Sequence, residues 1–262
     1  MSFAYCPDCG AQLSNLPHGS ANCPHCGFPL QVVAPETTVM PNYQQSRVPV
    51  NLQMAVDVDR TGSLRRYAEG VPRTLEAILG HLNGKTAGLE VSLQSHGDLD
   101  CNEPHILLTD RGTPEQAIAD ARTIIFEGGG DPRETHLDAI EHLLDTVPWG
   151  ADPTRSRGAF IAFLTDDTKP TRSGKTPEQL GYEFQRRKIL LYLVCQRTPA
   201  LHSLCTAAGG MMLEISNSPD TAQLLNIAEA LSASIAASVG SGATVPVDVN
   251  NLPPAMTLAH NA

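Results

Sequence analysis

The stretch that decides the fold covers residues 48–63 and reads VPVNLQMAVDVDRTGS. Its first part, Val48–Val58, is an apolar run that is typical of a buried β-strand. Acidic and hydroxyl side chains accumulate toward its end and beyond it, namely Asp57, Asp59, Thr61 and Ser63. In open α/β sheets the working residues gather where the strands end at the carboxyl edge. The stretch therefore predicts both a strand and a candidate site.

Strand-like and helix-like segments alternate along the rest of the chain. Further strands are predicted at residues 89–93, 105–109, 159–164, 189–195 and 211–215. Helices are predicted around 75–82 and at 114–125, 134–144, 177–187 and 221–239. The motif Gly70-Val71-Pro72 is expected to kink or delay the first helix. This alternation predicts an α/β domain over residues 48–243, with a doubly wound, mainly parallel sheet and helices on both faces, followed by a tail at 244–262.

Two more polar segments are predicted at the same edge of the sheet. Asp166 and Asp167 follow the strand at 159–164, and the loop 128–135, which reads GGGDPRET, leads into a helix. Acidic and hydroxyl side chains from separate loops are the oxygen ligands that a hard cation such as Mg²⁺ prefers. The alternative explanation is that these residues only cap helices. Helix capping alone does not readily explain why three acidic loops lie at the same edge of the sheet, so metal binding is the preferred explanation.

The chain from Val48 onward resembles the von Willebrand factor A (vWA) domain. The metal-ion-dependent adhesion site (MIDAS) of that family begins with Asp-x-Ser/Thr-x-Ser, which Asp59, Thr61 and Ser63 match. The Asp that the family places after its fourth strand is matched by Asp166. The family also has a Thr in a second loop, where this chain has Glu134, with Thr135 one place late; either could serve.

The resemblance implies a function as well as a fold. It implies that Mg²⁺ or Mn²⁺ binds at the adhesion site and that a partner protein's Asp or Glu fills an open coordination position. Residues 231–235 and the segment Leu252-Pro253-Pro254 resemble bacterial cytoplasmic vWA proteins associated with tellurium resistance. The expected role is a non-enzymatic, cytoplasmic adaptor, whose partner is an AAA+ ATPase, a kinase or a phosphatase.

A second resemblance, to haloacid dehalogenase-like phosphatases, competes for the same residues. It implies Asp57 as the phosphorylated nucleophile, Asp59 as the general acid and Asp166-Asp167 as the Mg²⁺ ligands. A lysine is also needed to neutralise phosphate, and the candidates are Lys169, Lys175 and Lys188. This alternative does not account for Gly62-Ser63 or for residues 128–134, so the vWA interpretation is preferred.

The N-terminal segment carries two Cys-Pro-x-Cys-Gly motifs. Their cysteines are Cys6, Cys9, Cys23 and Cys26. Two residues between the cysteines of each pair let one tight turn direct both thiolates at a single ion, and two such turns complete a tetrahedral shell for structural Zn²⁺. Residues 1–30 thus predict a zinc ribbon, which resembles the rubredoxin type. Residues 31–47 lack periodicity and predict a flexible linker.

Charge and composition limit the classes of partner and the location that are expected for this chain. The formal net charge is -10, so nucleic acid is an improbable partner. The sequence shows no apolar run of about 20 residues and no signal peptide, and a cytoplasmic location without a membrane span is expected. The basic run Arg186-Arg187-Lys188 is interpreted as a solvated helix end and Trp149 as a packing residue. Six histidines are interpreted as structural or surface residues, namely His81, His96, His105, His136, His142 and His202.

Overall fold

The computed structural model describes residues 48–83, 85–130, 132–150, 152, 155–215 and 221–241. The chain divides into two units, Met1–Gln44 and Gln45–Ala262, and the described residues all belong to the second. Outside the described residues lie the predicted linker 31–47, the predicted tail 244–262 and the predicted zinc ligands Cys6, Cys9, Cys23 and Cys26. The zinc ribbon and the domain boundaries therefore stay predictions.

The described part of the chain contains two sheets. In chain order the strands are β1 (Val48–Asp59), β2 (Thr86–His96), β3 (Ile106–Gly112), β4 (Arg133–Glu134), β5 (Ser156–Phe163), β6 (Asp167–Thr168), β7 (Ile189–Cys195) and β8 (Met211–Glu214). The main sheet has the order β3-β2-β1-β5-β7-β8, and β4 pairs with β6 separately. Every strand pair is parallel except β2–β3. The predicted α/β fold with a mainly parallel sheet is confirmed.

Helices cover both faces of the main sheet. They are α1 (Gly70–Leu82), α2 (Pro114–Ala121), α3 (His136–Thr146), α4 (Pro177–Arg187), α5 (Pro199–Ala208) and α6 (Thr221–Ser241). Residues of α1, α2 and α6 form one apolar cluster with the sheet, and residues of α3, α4 and α5 form the other. Both α2 and α4 begin with a Thr-Pro capping box, in which the Thr hydroxyl and a Gln side chain satisfy backbone groups of the first turn.

The central strand β1 divides its side chains between the two clusters. Leu52, Met54 and Val56 are buried in the cluster with α1 and α6. Ala55 faces the α3–α5 cluster, and because successive strand residues point to opposite faces, Asp57 and Asp59 lie on that same side. The alternation of β1 thus places both acids under α3 at the carboxyl edge.

Several predicted elements differ from the structure. The loop 97–105 between β2 and β3 is too short for a crossover, so β3 is antiparallel. Helix α2 ends at Ala121, and α3 begins at His136 because Glu134 belongs to β4. The expected effect of Pro72 is wrong: α1 begins at Gly70, so Pro72 lies in the first turn, where its missing N–H has no acceptor to lose.

Among the described residues, no helix combines the length with the apolar character that crossing a bilayer requires.

Candidate functional site

The carboxylate of Asp59 joins the ends of β1 and β5. Asp59 is fully buried, and its Oδ1 accepts a hydrogen bond of 2.8 Å from the amide of Thr61. Its Oδ2 accepts from the hydroxyl of Thr165 at 2.7 Å and from the amide of Thr165 at 3.3 Å. Because β1 and β5 are adjacent parallel strands, their ends meet at one edge. Asp59 therefore holds both loops in place through its own hydrogen bonds.

Three hydroxyl groups form a chain beside Asp59. The Thr61 and Ser63 hydroxyls are 2.9 Å apart, and the Ser63 and Thr165 hydroxyls are 2.6 Å apart. Thr165 already donates its proton to the carboxylate, so it accepts from Ser63, and Ser63 accepts from Thr61. With the hydrogen bonds in this direction, each of the three hydroxyl oxygens keeps a lone pair that could bind a cation.

The spacing of these hydroxyls fits a small divalent cation. Mg²⁺ is octahedral with ligands at about 2.0–2.1 Å, which places neighbouring ligand oxygens about 2.9 Å apart. The Thr61 and Ser63 oxygens have this separation. Within the described residues, no group of three or more His, Cys, Asp or Glu side chains could hold a metal ion. The hydroxyl oxygens are thus an essential part of the donor set that fits.

Glu134 and Thr135 point to different neighbours. The β4–β6 pairing and a 2.8 Å hydrogen bond from the Lys169 amide to the Glu134 carbonyl fix this loop. A Cβ placed on Gly129 would lie 2.8 Å from Oε1 of Glu134 and 3.3 Å from Cβ of Thr61, so the buried Glu134 carboxylate lies close to Thr61. The Thr135 hydroxyl instead accepts from the Leu99 amide at 3.0 Å. The Glu134 carboxylate thus lies at the glycine loop beside Thr61, whereas the Thr135 hydroxyl is hydrogen-bonded to the backbone of Leu99 and Gly97.

Asp166 directly follows Thr165 at the end of β5. Its backbone is left-handed, with φ of 60°, a conformation that Asp tolerates better than most residues. Its side chain is partly buried. The next residue, Asp167, pairs with Arg133 at 3.4 Å across β4 and β6. Of the two acids, Asp167 is therefore committed to the small sheet.

The loops around the site are tied to one another through Glu103. Its carboxylate accepts hydrogen bonds of 3.0 and 3.2 Å from the Gly129 amide and one of 3.0 Å from the Asp98 amide. The Gly62 amide donates to the Gly128 carbonyl at 3.1 Å. The φ of Gly129 is 74°, and added side-chain bulk would meet Glu134 and Thr61. These contacts make the glycine-rich loop a wall of the site.

A buried chain of hydrogen bonds runs beneath the hydroxyls. Oδ1 of Asp57 contacts Nδ1 of His96 at 2.9 Å, and Nε2 of His96 contacts Nδ1 of His136 at 2.9 Å. Nε2 of His136 in turn donates to the carbonyl oxygen of Thr165. Gln94 adds a 2.9 Å hydrogen bond to the same oxygen of Asp57. Asp57, His96 and His136 are all fully buried, so each partner is indispensable.

The acceptor groups at the two ends of this chain of hydrogen bonds determine which ring nitrogens of the two histidines carry protons. The Thr165 carbonyl can only accept, so Nε2 of His136 carries a proton, and the Asp57 carboxylate accepts from Nδ1 of His96. One further proton lies between the two rings. Burial disfavours a charge on either ring, but the carboxylate of Asp57 raises the pKa of His96, while burial lowers the pKa of His136. His96 is therefore the imidazolium and His136 is neutral.

The pKa of Asp57 is consistent with this assignment. Burial alone would raise it, but the charge of His96 and hydrogen bonds from His96 and Gln94 outweigh burial and lower the pKa below its usual value. Asp57 thus forms a buried ion pair with His96.

The structure does not support the phosphatase alternative. The Asp57 carboxylate is inaccessible to solvent and bonded to His96 and Gln94, so it does not face a substrate. Lys169 pairs with Asp98 at 2.8 Å and with Asp100 at 2.9 Å. The two other candidate lysines are also elsewhere: Lys175 pairs with Glu141, and Lys188 lies just before β7 at the opposite edge of the sheet.

Sequence reasoning did not single out Gln94 or Thr165, and it interpreted His96 and His136 only as structural or surface residues. A usable signal lies in β2, where Gln94 and His96 alternate on one face as Asp57 and Asp59 do in β1. The parallel register pairs Asp57 with Gln94 and Asp59 with His96. Polar residues at alternate positions in two buried neighbouring strands indicate a polar network between them. The residues that face each other can be named only once the register of the two strands is known.

Comparison with known proteins identifies the fold and nothing finer. The sequence matches no protein-family model and no curated protein. Among solved structures, the fold is similar to the crystal structure of the VWA domain of SpRpn10, with a TM-score of 0.51 and 13% sequence identity. The match covers 68% of this chain and 95% of that domain. The described domain therefore has the architecture of a VWA domain.

Proposed function

We propose that the α/β domain is a protein-binding module whose contact with its partner depends on Mg²⁺ or Mn²⁺, and that it is not an enzyme. The observation that carries this proposal is the convergence of Asp59, Thr61, Ser63 and Thr165 at the carboxyl edge, where the hydroxyl oxygens of Thr61 and Ser63 are 2.9 Å apart. The VWA-like fold is consistent with this proposal, and Asp59, Thr61 and Ser63 match the sequence motif that the resemblance assigns to an adhesion site.

Each residue has a separate task in this proposal. Thr61 and Ser63 supply hydroxyl oxygens to the cation, while Asp59, whose two oxygens already accept hydrogen bonds, acts through water. Asp166 and Glu134 supply negative charge from the two neighbouring loops. Glu134 is favoured over Thr135 because the Thr135 hydroxyl is bonded to the Leu99 amide. When bound, the cation supplies positive charge and a coordination position for a carboxylate.

The partner in this proposal is another protein that presents an Asp or Glu side chain. Candidates are an AAA+ ATPase, a kinase or a phosphatase in the cytoplasm. The buried carboxylate of Glu134 adds a negative charge beside Thr61, and this charge should weaken the attraction for the partner's acid. The contact is therefore expected to be weaker and more easily reversed than one made by a site with threonine at this position.

Calorimetric titration of the full chain with MgCl₂ and MnCl₂ tests the proposal. The wild type should bind one ion at this site, and Ser63→Ala should weaken binding about tenfold through loss of one ligand oxygen. Asp59→Ala should abolish binding, with its fold checked by circular dichroism because Asp59 also anchors two loops. Asp110→Ala, an exposed acid on β3, is the control and should bind as the wild type does. Equal affinity of Ser63→Ala and wild type would refute the site.

The zinc ribbon remains a second part of the proposal and is carried by sequence alone. Four thiolates from Cys6, Cys9, Cys23 and Cys26 would bind one structural Zn²⁺ and add a docking surface to the full chain. Metal analysis of the purified chain should find one zinc per chain, and Cys9→Ser with Cys26→Ser should remove it. The control is Cys101→Ser, which should retain the metal because Cys101 lies in the second unit.

A further inference from the structure

A cleft of about 440 Å³ lies at the amino edge of the main sheet. Ser156 begins β5 and Ile189 begins β7, and these adjacent strands form its floor. The candidate metal site lies at the carboxyl ends of the same sheet, so the cleft is a separate feature. Its volume is in the range of sites that hold small organic molecules.

The wall of the cleft is built by Trp149 and Arg187. The indole Nε1 donates to the Leu144 carbonyl at 2.8 Å, and the guanidinium of Arg187 donates to the same carbonyl at 2.9 Å. The indole ring lies against Gly158, where a Cβ would stand 2.7 Å from the ring. A shared acceptor and a required glycine thus hold the aromatic ring rigidly beside basic residues.

The charges around the cleft leave a positive excess. Arg187 pairs with Asp145 and Glu183, and Arg186 shares Glu183 with it. Lys188 also lines the cleft, is exposed and makes no ion pair within the described residues. The chain as a whole has a net charge of -10, so this local excess of cations is against the general trend. An anion is the ligand that such an excess favours.

The backbone at Lys188 gives a second, independent indication. Lys188 ends α4 with φ of 56°, and Gly209 ends α5 with φ of 61°. Glycine is the usual residue at such a helix end, because it has no Cβ to strain. The chain follows this rule at α5 and departs from it at α4, where the unusual residue places its ammonium group at the cleft. Strained residues of this kind are concentrated at functional sites.

We propose that this cleft binds a small organic phosphate of nucleotide size. Lys188 and Arg186 bind the phosphate, and Trp149 contacts its organic part. A phosphate monoester offers several acceptor oxygens and up to two negative charges, which suit an ammonium and a guanidinium group. The proposal is independent of the metal site at the other edge.

The test uses the fluorescence of Trp149, the only tryptophan in the chain. The full chain is titrated with AMP, inorganic phosphate and adenosine, with equilibrium dialysis as a second readout in case the emission does not change. AMP should bind saturably and more tightly than either phosphate or adenosine. Equal binding of adenosine and AMP would overturn the anionic site, equal binding of phosphate and AMP would overturn the organic ligand, and no binding by either method would overturn the proposal.

Variants locate the binding within the cleft. Lys188→Asn removes the charge but keeps a residue that tolerates the left-handed backbone, and it should raise the Kd for AMP about tenfold, the effect of losing one charged hydrogen bond. Arg186→Ala should weaken binding as well. Arg197→Ala is the matched control, since Arg197 is also an exposed arginine paired with a glutamate, Glu214, but lies outside the cleft lining. If Lys188→Asn binds AMP as the wild type does, the assigned site is wrong.

Discussion

The two faces of β1 are both buried in the carboxyl half of the strand but differ in what they bury. Toward α1 and α6 the strand presents Leu52, Met54 and Val56, all within an apolar cluster. Toward α3 it presents Ala55, then Asp57 and Asp59, which are also inaccessible to solvent. One face is held by packing alone, whereas the carboxyl half of the other depends on hydrogen bonds and an ion pair.

This difference shows which kind of buried polarity a fold can sustain. Asp57 is tolerated because His96 is a cation and Gln94 is a donor, and His96 is tolerated because His136 and Asp57 occupy both of its ring nitrogens. These contacts satisfy Oδ1 of Asp57, whereas its Oδ2 is buried without a hydrogen-bond partner among the described residues, so the network is only partly satisfied. The polar face should therefore respond to single substitutions and to pH in ways that the apolar face does not.

The largest expected effect comes from breaking the buried ion pair. His96→Ala should lower the free energy of unfolding by about 3–5 kcal/mol, because it leaves the Asp57 carboxylate buried without its cation. Urea denaturation at neutral pH measures this change. Adding Asp57→Ala should restore part of the loss, since no uncompensated charge remains. A double variant whose loss equals the sum of the two single losses would show that the pair is not coupled.

A smaller effect is expected on the apolar face at the neighbouring residue. Val56→Ala removes two buried methyl groups and should lower the free energy of unfolding by about 2 kcal/mol, through lost transfer free energy and a small cavity. The same urea experiment, repeated at several pH values, should give a constant difference from the wild type. A difference that varied with pH would mean that this face is coupled to the polar network.

The smallest effect concerns pH and His105, whose ring lies 6.1 Å from that of His96. Burial is the main cause that lowers the pKa of His105 to about 4. A histidine with a depressed folded pKa contributes stability above its unfolded pKa of about 6.5, and this stability is lost as the pH falls toward 4. His105→Asn should therefore lose less stability than the wild type between these values. His202→Asn, an exposed site on α5, should follow the wild-type pH profile.

The sequence predicted the elements and one part of the site. Alternating segments were sufficient for the α/β fold, because buried parallel strands read as apolar runs and the helices keep their own periodicity. Asp59, Thr61 and Ser63 could be found because they are close in sequence and lie at a strand end. Thr165 was missed since it is distant in sequence and no local pattern marks it as the donor to Asp59.

Glu134 and Thr135 illustrate the limit of counting along the chain. Adjacent residues in a loop have side chains that point in different directions, and the choice between them depends on the β4–β6 pairing. The basic run at residues 186–188 illustrates the same limit of reasoning from the sequence. It was interpreted as a solvated helix end, and it also lines a cleft, because the start of β5 and the end of α4 meet at the amino edge.

The sequence by itself determined that residues 48–58 form a buried strand, that helices cover both faces of its sheet, and that Asp59, Thr61 and Ser63 lie at the carboxyl end of that strand. These are properties of periodicity and local spacing, which the chain carries without reference to distant residues. Only the tertiary structure decided that His96 is the buried cation of Asp57 and that the Thr135 hydroxyl is engaged by the Leu99 amide while Glu134 lies at the glycine loop. Those outcomes depend on strand register and loop pairing, which bring together residues that are far apart along the chain.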